Sequence, residues 1–226
     1  MRLEEQEQLV RNPSHIFIKR IFYPFKIIYS PQNTLLNIHN EKKLGILATL
    51  TLVILFAAIS IVISQNLLES EYIADLLGNN PSQSFKNALT IFAVIMQVFL
   101  FFVNILLLTA LIKIVLSIVK LKVKFRELLR FVIIAQSPVV LGLGIKYVLS
   151  DPSQYHIPVT SLAYLFSGLN MNQFLQIFLS KIELFNLWSL FLICLSLTIV
   201  TKQSLTKIVS ILFPVTIIFN TLIELI

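Results

Sequence analysis

Charged residues are scarce in this chain. Only 13% of its 226 residues are Asp, Glu, Lys or Arg, whereas about a quarter of the residues are charged in an ordinary soluble domain. Hydrophobic residues make up 57% of the chain, against about 45–50% in soluble domains. The composition excludes an ordinary soluble protein and indicates that lipid surrounds most of the chain.

Cysteine and histidine are also rare, which limits metal and disulfide chemistry. The one cysteine, Cys194, lies within an apolar run, so no intramolecular disulfide forms, and we interpret it as a small packing residue. The histidines are His15, His39 and His156, far apart and outside the apolar runs. No Cys/His cluster has the spacing of metal ligands. The sequence therefore predicts neither a metal site nor a cofactor.

The common catalytic motifs are absent from the sequence. No GxSxG, HExxH, P-loop or GxGxxG pattern occurs. A protease or transferase working inside a membrane needs paired aspartates, a Ser/His pair or metal ligands at the depth of the spans, and the apolar runs contain none of these. The chain is therefore predicted not to be an enzyme, and no catalytic residue is assigned.

Long uncharged apolar runs dominate what remains. A helix needs roughly 17–25 such residues to cross a bilayer, and the first two runs clearly reach that length while the other three are at its lower limit. The pattern predicts an all-α, polytopic membrane protein with five transmembrane helices. The predicted spans are about 44–64, 88–112, 131–149, 184–201 and 208–226.

The basic residues occupy alternate gaps between these spans. Seven lie in residues 1–43, six between spans two and three, and two between spans four and five. The first gap holds one, and the third holds two when Lys146, at the end of span three, is counted with it. Because Lys and Arg are enriched on the cytoplasmic side, the N-terminus is predicted inside and the C-terminus outside. The net charge of +7 lies beside membrane segments, so anionic lipid headgroups are the expected partner and nucleic acid is not.

Residues 1–43 form a predicted basic cytoplasmic tail, and residues 44–226 the transmembrane domain. From Ile16 onwards the tail is amphipathic, with aromatic and aliphatic residues at spacings of four and three. A basic amphipathic segment of this kind is typical of one that lies in the headgroup plane. Packing of the same segment on the ends of the spans is the open alternative. The candidate lipid-contact residues are Lys19, Arg20 and Lys26.

Before span four, a second helical pattern follows Pro158. Met171, Phe174, Phe178 and Ile182 recur on one stripe, which predicts a short helix on or near the outer leaflet. Aromatic residues favour that interface. A loop helix that faces the core and does not touch lipid is the alternative.

A few polar residues and prolines interrupt the spans. Gln97, Asn104 and Gln136 are candidate interhelical polar contacts, because a carboxamide within a bilayer needs a hydrogen-bond partner. Alternatively they line a polar path for a small solute, although no ionisable group accompanies them at mid-depth, as a relay would require. Pro138 and Pro214 are candidate helix kinks, since each removes one backbone hydrogen bond.

Three segments resemble those of one membrane-protein family. They are YSPQNTLLNI before span one, LKVKFRELLRFVIIAQSPVVLG at span three, and IELFNLWSLFLI, with Glu183, Phe185 and Trp188, at the entry to span four. Together they resemble the bacterial members of the Yip1 family. The resemblance implies a five-span protein of the bacterial cytoplasmic membrane without an assigned reaction. Eukaryotic members bind small GTPases through an acidic-Leu-Tyr-Gly-Pro motif, which this chain lacks, so that role is not carried over.

The expected function is that of a non-enzymatic membrane scaffold. It would act through contacts with lipid, with other membrane proteins or with further copies of itself. The alternative is an accessory or oligomeric permease for a small solute, and the KIIYSP segment is also similar to the entry of uncharacterised permease-associated proteins. The permease hypothesis requires Gln97, Asn104, Gln136 and the two prolines to line a cavity.

Overall fold

The computed structural model describes residues 23–40, 42–68, 82–149, 159–166, 168–169 and 172–225. Within these ranges the chain is helical apart from turns and one isolated β-bridge, between Ser161 and Glu183. The helices are α1 (Tyr23–Tyr29), α2 (Pro31–Asn40), α3 (Lys42–Leu68), α4 (Gln83–Ile118), α5 (Phe125–Ala135), α6 (Ser137–Leu149), α7 (Leu162–Leu165), α8 (Gln173–Lys181), α9 (Leu184–Thr201) and α10 (Leu205–Leu225).

Among the described residues, four helical stretches are long and apolar enough to cross a bilayer. They are Ile46–Asn66 in α3, Gln83–Ile118, Phe125–Leu149 (α5 and α6 together) and Leu184–Thr201. Helix α10 carries a shorter apolar stretch, Leu205–Thr221. The helical membrane-protein class expected from the composition is thus confirmed. The third of these stretches begins six residues before the predicted span, because the amphipathic segment FRELLR is helical and continuous with it.

The helices differ sharply in how much of their surface the rest of the chain covers. Helix α9 lies at the centre, with Leu192, Ile193 and Leu197 fully buried. Helix α4, by contrast, exposes Phe92 and Ile95 among many large apolar side chains. Its 36 residues extend over about 54 Å, well beyond a hydrocarbon core of about 30 Å. Lipid is therefore the natural cover for the exposed apolar face of α4.

The N-terminal helices α1 and α2 pack into this bundle. Ile27, Leu35 and Ile38 are fully buried, and the two helices contact α3, α6 and α9. At the end of α2, His39 Nδ1 lies 2.8 Å from Glu127 Oε1 of α5, and its ring stacks on Phe131. The described part of the N-terminal region is therefore joined to the helical domain by buried apolar contacts.

The bundle has two distinct ends. One end carries the turn 119–124, between α4 and α5, and the turn 202–204, between α9 and α10. At the other end the last turn of α6 meets the first turn of α9, where Lys146 lies beside Glu183. These are called the turn end and the Glu183 end below.

Candidate functional site

A cavity of about 540 Å³ lies between α4, the junction of α5 and α6, the end of α8, α9 and α10. Its α9 residues lie between Asn186 and Ile193, towards the start of that helix, and its α10 residues come from the second half, so the cavity extends towards the Glu183 end of the bundle. Leucine, isoleucine and valine side chains form much of its wall. The polar residues that line it are Asn104, Gln136, Lys181, Asn186, Ser189, Thr216 and Asn220.

Helical spacing explains how several of these polar groups reach one cavity. Thr216 and Asn220 are four residues apart on α10, and Asn186 and Ser189 are three apart on α9. Residues at these spacings share one face of a helix. Asn104 belongs to α4, where it lies on the face that carries Leu100 and Leu107. The cavity wall therefore combines polar and apolar side chains that come from the same helices.

Gln136 reaches the cavity because the helix breaks at that residue. The break lies between Ala135 and Ser137, two residues before Pro138. A proline at this position cannot donate to the carbonyl of Ile134. The Ser137 hydroxyl donates to that carbonyl instead, at 2.6 Å, which satisfies an acceptor that would otherwise be costly in a bilayer.

Three of the lining carboxamides lack a protein partner. Among the described residues, no hydrogen bond is made by the side chains of Asn104, Gln136 or Asn220. Asn104 is exposed, and Gln136 and Asn220 are half-buried. Because an amide without a partner in hydrocarbon costs about 4–8 kcal/mol, these side chains favour water or a polar ligand at the cavity wall. Among the described lining residues Lys181 alone is ionisable, and it already interacts with another group of the protein.

A buried ion pair adjoins the cavity. Lys146 Nζ lies 2.5 Å from Glu183 Oε1, and Glu183 is only 1% exposed. The Thr160 hydroxyl donates to Oε1 and the Asn186 amide donates to Oε2, both at 2.9 Å. Because Asn186 also lines the cavity, one carboxamide connects the ion pair to the cavity wall.

Local backbone structure holds Glu183 in place. It is the residue that precedes the first turn of α9, and its extended conformation pairs it with Ser161. The amide of Leu184 donates to the carbonyl of Thr160 at 3.3 Å. Sequence reasoning singled out Glu183 only as part of a family-like segment and missed the ion pair. The sequence did carry a signal for this pair. It has a lone acid at the start of one apolar helix and a lone lysine near the end of another.

The predicted polar contacts separate into two places. Gln97 Nε2 donates to Ser64 Oγ at 3.3 Å and so links α4 to α3, away from the cavity. Asn104 and Gln136 both line the cavity. Pro214 lies inside α10, two residues before the lining residue Thr216.

Two of the three predicted lipid-contact residues lie outside the described part of the chain. Lys19 and Arg20 lie outside the described residues. Lys26 lies in α1, half-buried, and interacts with another group of the protein. Contact of these three residues with lipid stays a prediction.

One comparison with known proteins returned a match. The family model described as the Yip1 domain matches residues 25–224, which include every described helix from α2 to α9 in full. No curated protein and no solved structure shows significant similarity to the chain.

Proposed function

This chain belongs to the Yip1 family, and from that premise we propose that it is a non-enzymatic membrane scaffold that acts through contacts with lipids and with other membrane proteins. The cavity of the Glu183 end is the observation on which this proposal rests. We propose that it holds the headgroup region of an amphiphilic lipid molecule, and that this lipid contact is central to the scaffold's action.

The chemistry of the wall supports an amphiphile as the ligand. Asn104, Gln136 and Asn220 offer hydrogen bonds that the described protein groups do not use. Side chains such as Leu107 and Ile193 form apolar wall beside them. A molecule with a hydrogen-bonding head and an apolar chain satisfies both parts of the wall, whereas a purely apolar chain leaves the amides unpaired.

A permease for a small solute is the second candidate, and one observation favours it. Two of the three carboxamides that this hypothesis placed in a cavity, Asn104 and Gln136, line the same one. Gln97 does not, because it binds Ser64. A solute that passes through the protein would contact the same side chains as a bound amphiphile. A functional experiment is therefore needed to distinguish the permease from the lipid-binding scaffold.

The test begins with the full chain purified in mild detergent and analysed by native mass spectrometry. We expect the wild-type protein to retain a lipid-sized adduct, and the Asn104→Leu/Gln136→Leu variant to lose most of it. Gln97→Leu is the matched control, since it makes the same change outside the cavity and should keep the adduct. A wild-type protein without any adduct contradicts the lipid proposal. Solute flux in liposomes that the double variant abolishes and the control preserves would establish the permease instead.

We also propose that the protein crosses the cytoplasmic membrane five times, with α10 as the fifth span. The turn end then faces the cytoplasm, because the basic residues of the chain concentrate in the tail and the gaps on that side. Anionic headgroups of the inner leaflet and other membrane proteins, or copies of this chain, are the proposed partners.

Single cysteines report this orientation. In a Cys194→Ser background, Lys122→Cys should resist a membrane-impermeant maleimide in intact cells and react after the cells are opened. Gly78→Cys, placed in the gap between the first two spans, should react without opening the cells. Labelling in the reverse order contradicts the proposed orientation.

A further inference from the structure

A second concavity lies at the turn end, nearer to the end of α4 than the cavity described above. It is formed by the turn 119–124 and by the last part of α4, and its volume is about 780 Å³. Five of its lining residues are Lys113, Ser117, Lys120, Lys122 and Lys124, and these residues are called the basic corner below.

The backbone of the basic corner is held against the end of α4. Lys113 Nζ donates to the carbonyl of Val123 at 2.6 Å, and the amide of Leu121 donates to the carbonyl of Leu116 at 2.8 Å. Lys120 takes the left-handed conformation, with φ of 60°, and its amide donates to the carbonyl of Ser117. The lysines are thus presented by a tightly bonded turn.

The positive charge of the basic corner has no counter-charge among the described residues. Lys120, Lys122 and Lys124 form no ion pair there. The acid that follows in the sequence, Glu127, pairs with His39 at 2.8 Å. An anion that enters this concavity therefore meets several lysines that are not already neutralised.

The start of α5 adds backbone donors to the same place. Lys124 precedes the first helical residue, Phe125, and no side chain caps the helix there. The first amides of a helix have no partner within it, and the helix dipole favours an anion at this end. The amide of Glu127 already donates to the carbonyl of Lys124, so the amides of Phe125 and Arg126 are the ones that can join the lysines in binding a phosphate group.

Exposed apolar side chains beside the basic corner decide the source of the phosphate. Ile118, at the end of α4, is 74% exposed, and Ile114 and Phe125 are also exposed. An acyl chain joined to a phosphate can cover this apolar surface while its phosphate lies among the lysines. Free phosphate makes no contact with the apolar surface. We infer that the basic corner binds the phosphate group of an anionic phospholipid, with an acyl chain along Ile114 and Ile118.

The experiment titrates phosphatidylglycerol into the detergent-solubilised full chain and counts bound lipid by native mass spectrometry. Lys120→Gln/Lys122→Gln should weaken binding about thirty-fold, since one basic residue at an anionic surface contributes a factor on the order of five. Lys202→Gln/Lys207→Gln removes the same charge from the turn 202–204 and the first turn of α10, at the same end, and should leave binding nearly unchanged. Phosphatidylcholine, with no net charge, should bind weakly to all three proteins.

Two further results separate this inference from its alternatives. Ile118→Gln should weaken the binding of phosphatidylglycerol, and millimolar inorganic phosphate should not displace the lipid from the wild-type protein. Equal losses in the two lysine pairs would overturn the site in favour of general charge attraction, and displacement by phosphate would overturn the lipid as its ligand. Because Asn104 and Gln136 are not involved, failure here leaves the proposal for the cavity untouched.

Discussion

Replacing Glu183 by alanine is expected to destabilise the protein by about 3–5 kcal/mol, the usual cost of removing one partner of a buried ion pair. The substitution leaves the Lys146 ammonium, whose side chain is 20% exposed, without its counter-charge. It also removes the acceptor of the Thr160 hydroxyl and the Asn186 amide. For a chain of this size the melting temperature should fall by about 10 °C.

The intrinsic fluorescence of the chain can follow this unfolding directly. Trp188 is the single tryptophan of the sequence, and it lies on α9, with its ring 5.5 Å from that of Phe191. Thermal unfolding of the purified protein in detergent can therefore be monitored close to the substituted residue.

Two controls identify the ion pair as the cause. Lys146→Met/Glu183→Met should be less destabilised than the sum of its two single variants, because no buried charge remains unpaired. Glu127→Ala breaks a pair with His39 whose side chains are 36% and 24% exposed, so its cost should be no more than about 1 kcal/mol. If Glu183→Ala is tolerated as well as Glu127→Ala, the ion pair is not a major source of stability.

Adding one methyl group at Gly142 is expected to have the second-largest effect. Helix α6 approaches α9 so closely there that a Cβ on Gly142 would lie 2.3 Å from Phe185 Cγ and 2.9 Å from Phe185 Cβ. These atoms are near the backbone of α9, so a rotation of the ring alone does not remove the overlap. Gly142→Ala should cost about 1–3 kcal/mol, as overpacking of a core does, and lower the melting temperature accordingly.

Gly144, two residues along the same helix, provides a matched control. A Cβ on Gly144 would meet Ile59 Cδ1 at 3.6 Å, an ordinary van der Waals contact. Since alanine also favours the helix by about 1 kcal/mol over glycine, Gly144→Ala should be neutral or slightly stabilising. Phe185→Leu should recover part of the stability that Gly142→Ala loses. Equal effects of the two alanine substitutions would contradict the close approach of α6 and α9.

The two candidate sites differ in how far sequence reasoning could reach them. For the cavity it singled out Asn104 and Gln136, because a carboxamide is conspicuous within an apolar run. Gln97 is equally conspicuous, yet it binds Ser64 on a neighbouring helix. The type of residue alone cannot separate these outcomes, because they depend on which side of α4 faces the cavity and which faces α3.

The basic corner was visible in the sequence only as a run of lysines that helped to orient the chain. What distinguishes it is the hydrogen bond from Lys113 to Val123 and the left-handed turn at Lys120. This turn depends on how the end of α4 packs against the start of α5. The number of lysines in the sequence does not predict that packing.

The class and family of the protein followed from its sequence alone. Hydrocarbon does not tolerate unpaired charge, so uncharged apolar runs identify membrane helices before any contact is known. The tertiary structure decided which faces of those helices meet. Ile95 on α4 and Ile193 on α9 are the same residue type, yet the first is exposed and the second buried. Lipid and protein interior are both apolar, so hydropathy does not distinguish a face that meets one from a face that meets the other. Only the packing of the helices brings Asn104, Gln136 and Asn220 to one cavity. It also pairs Lys146 with Glu183.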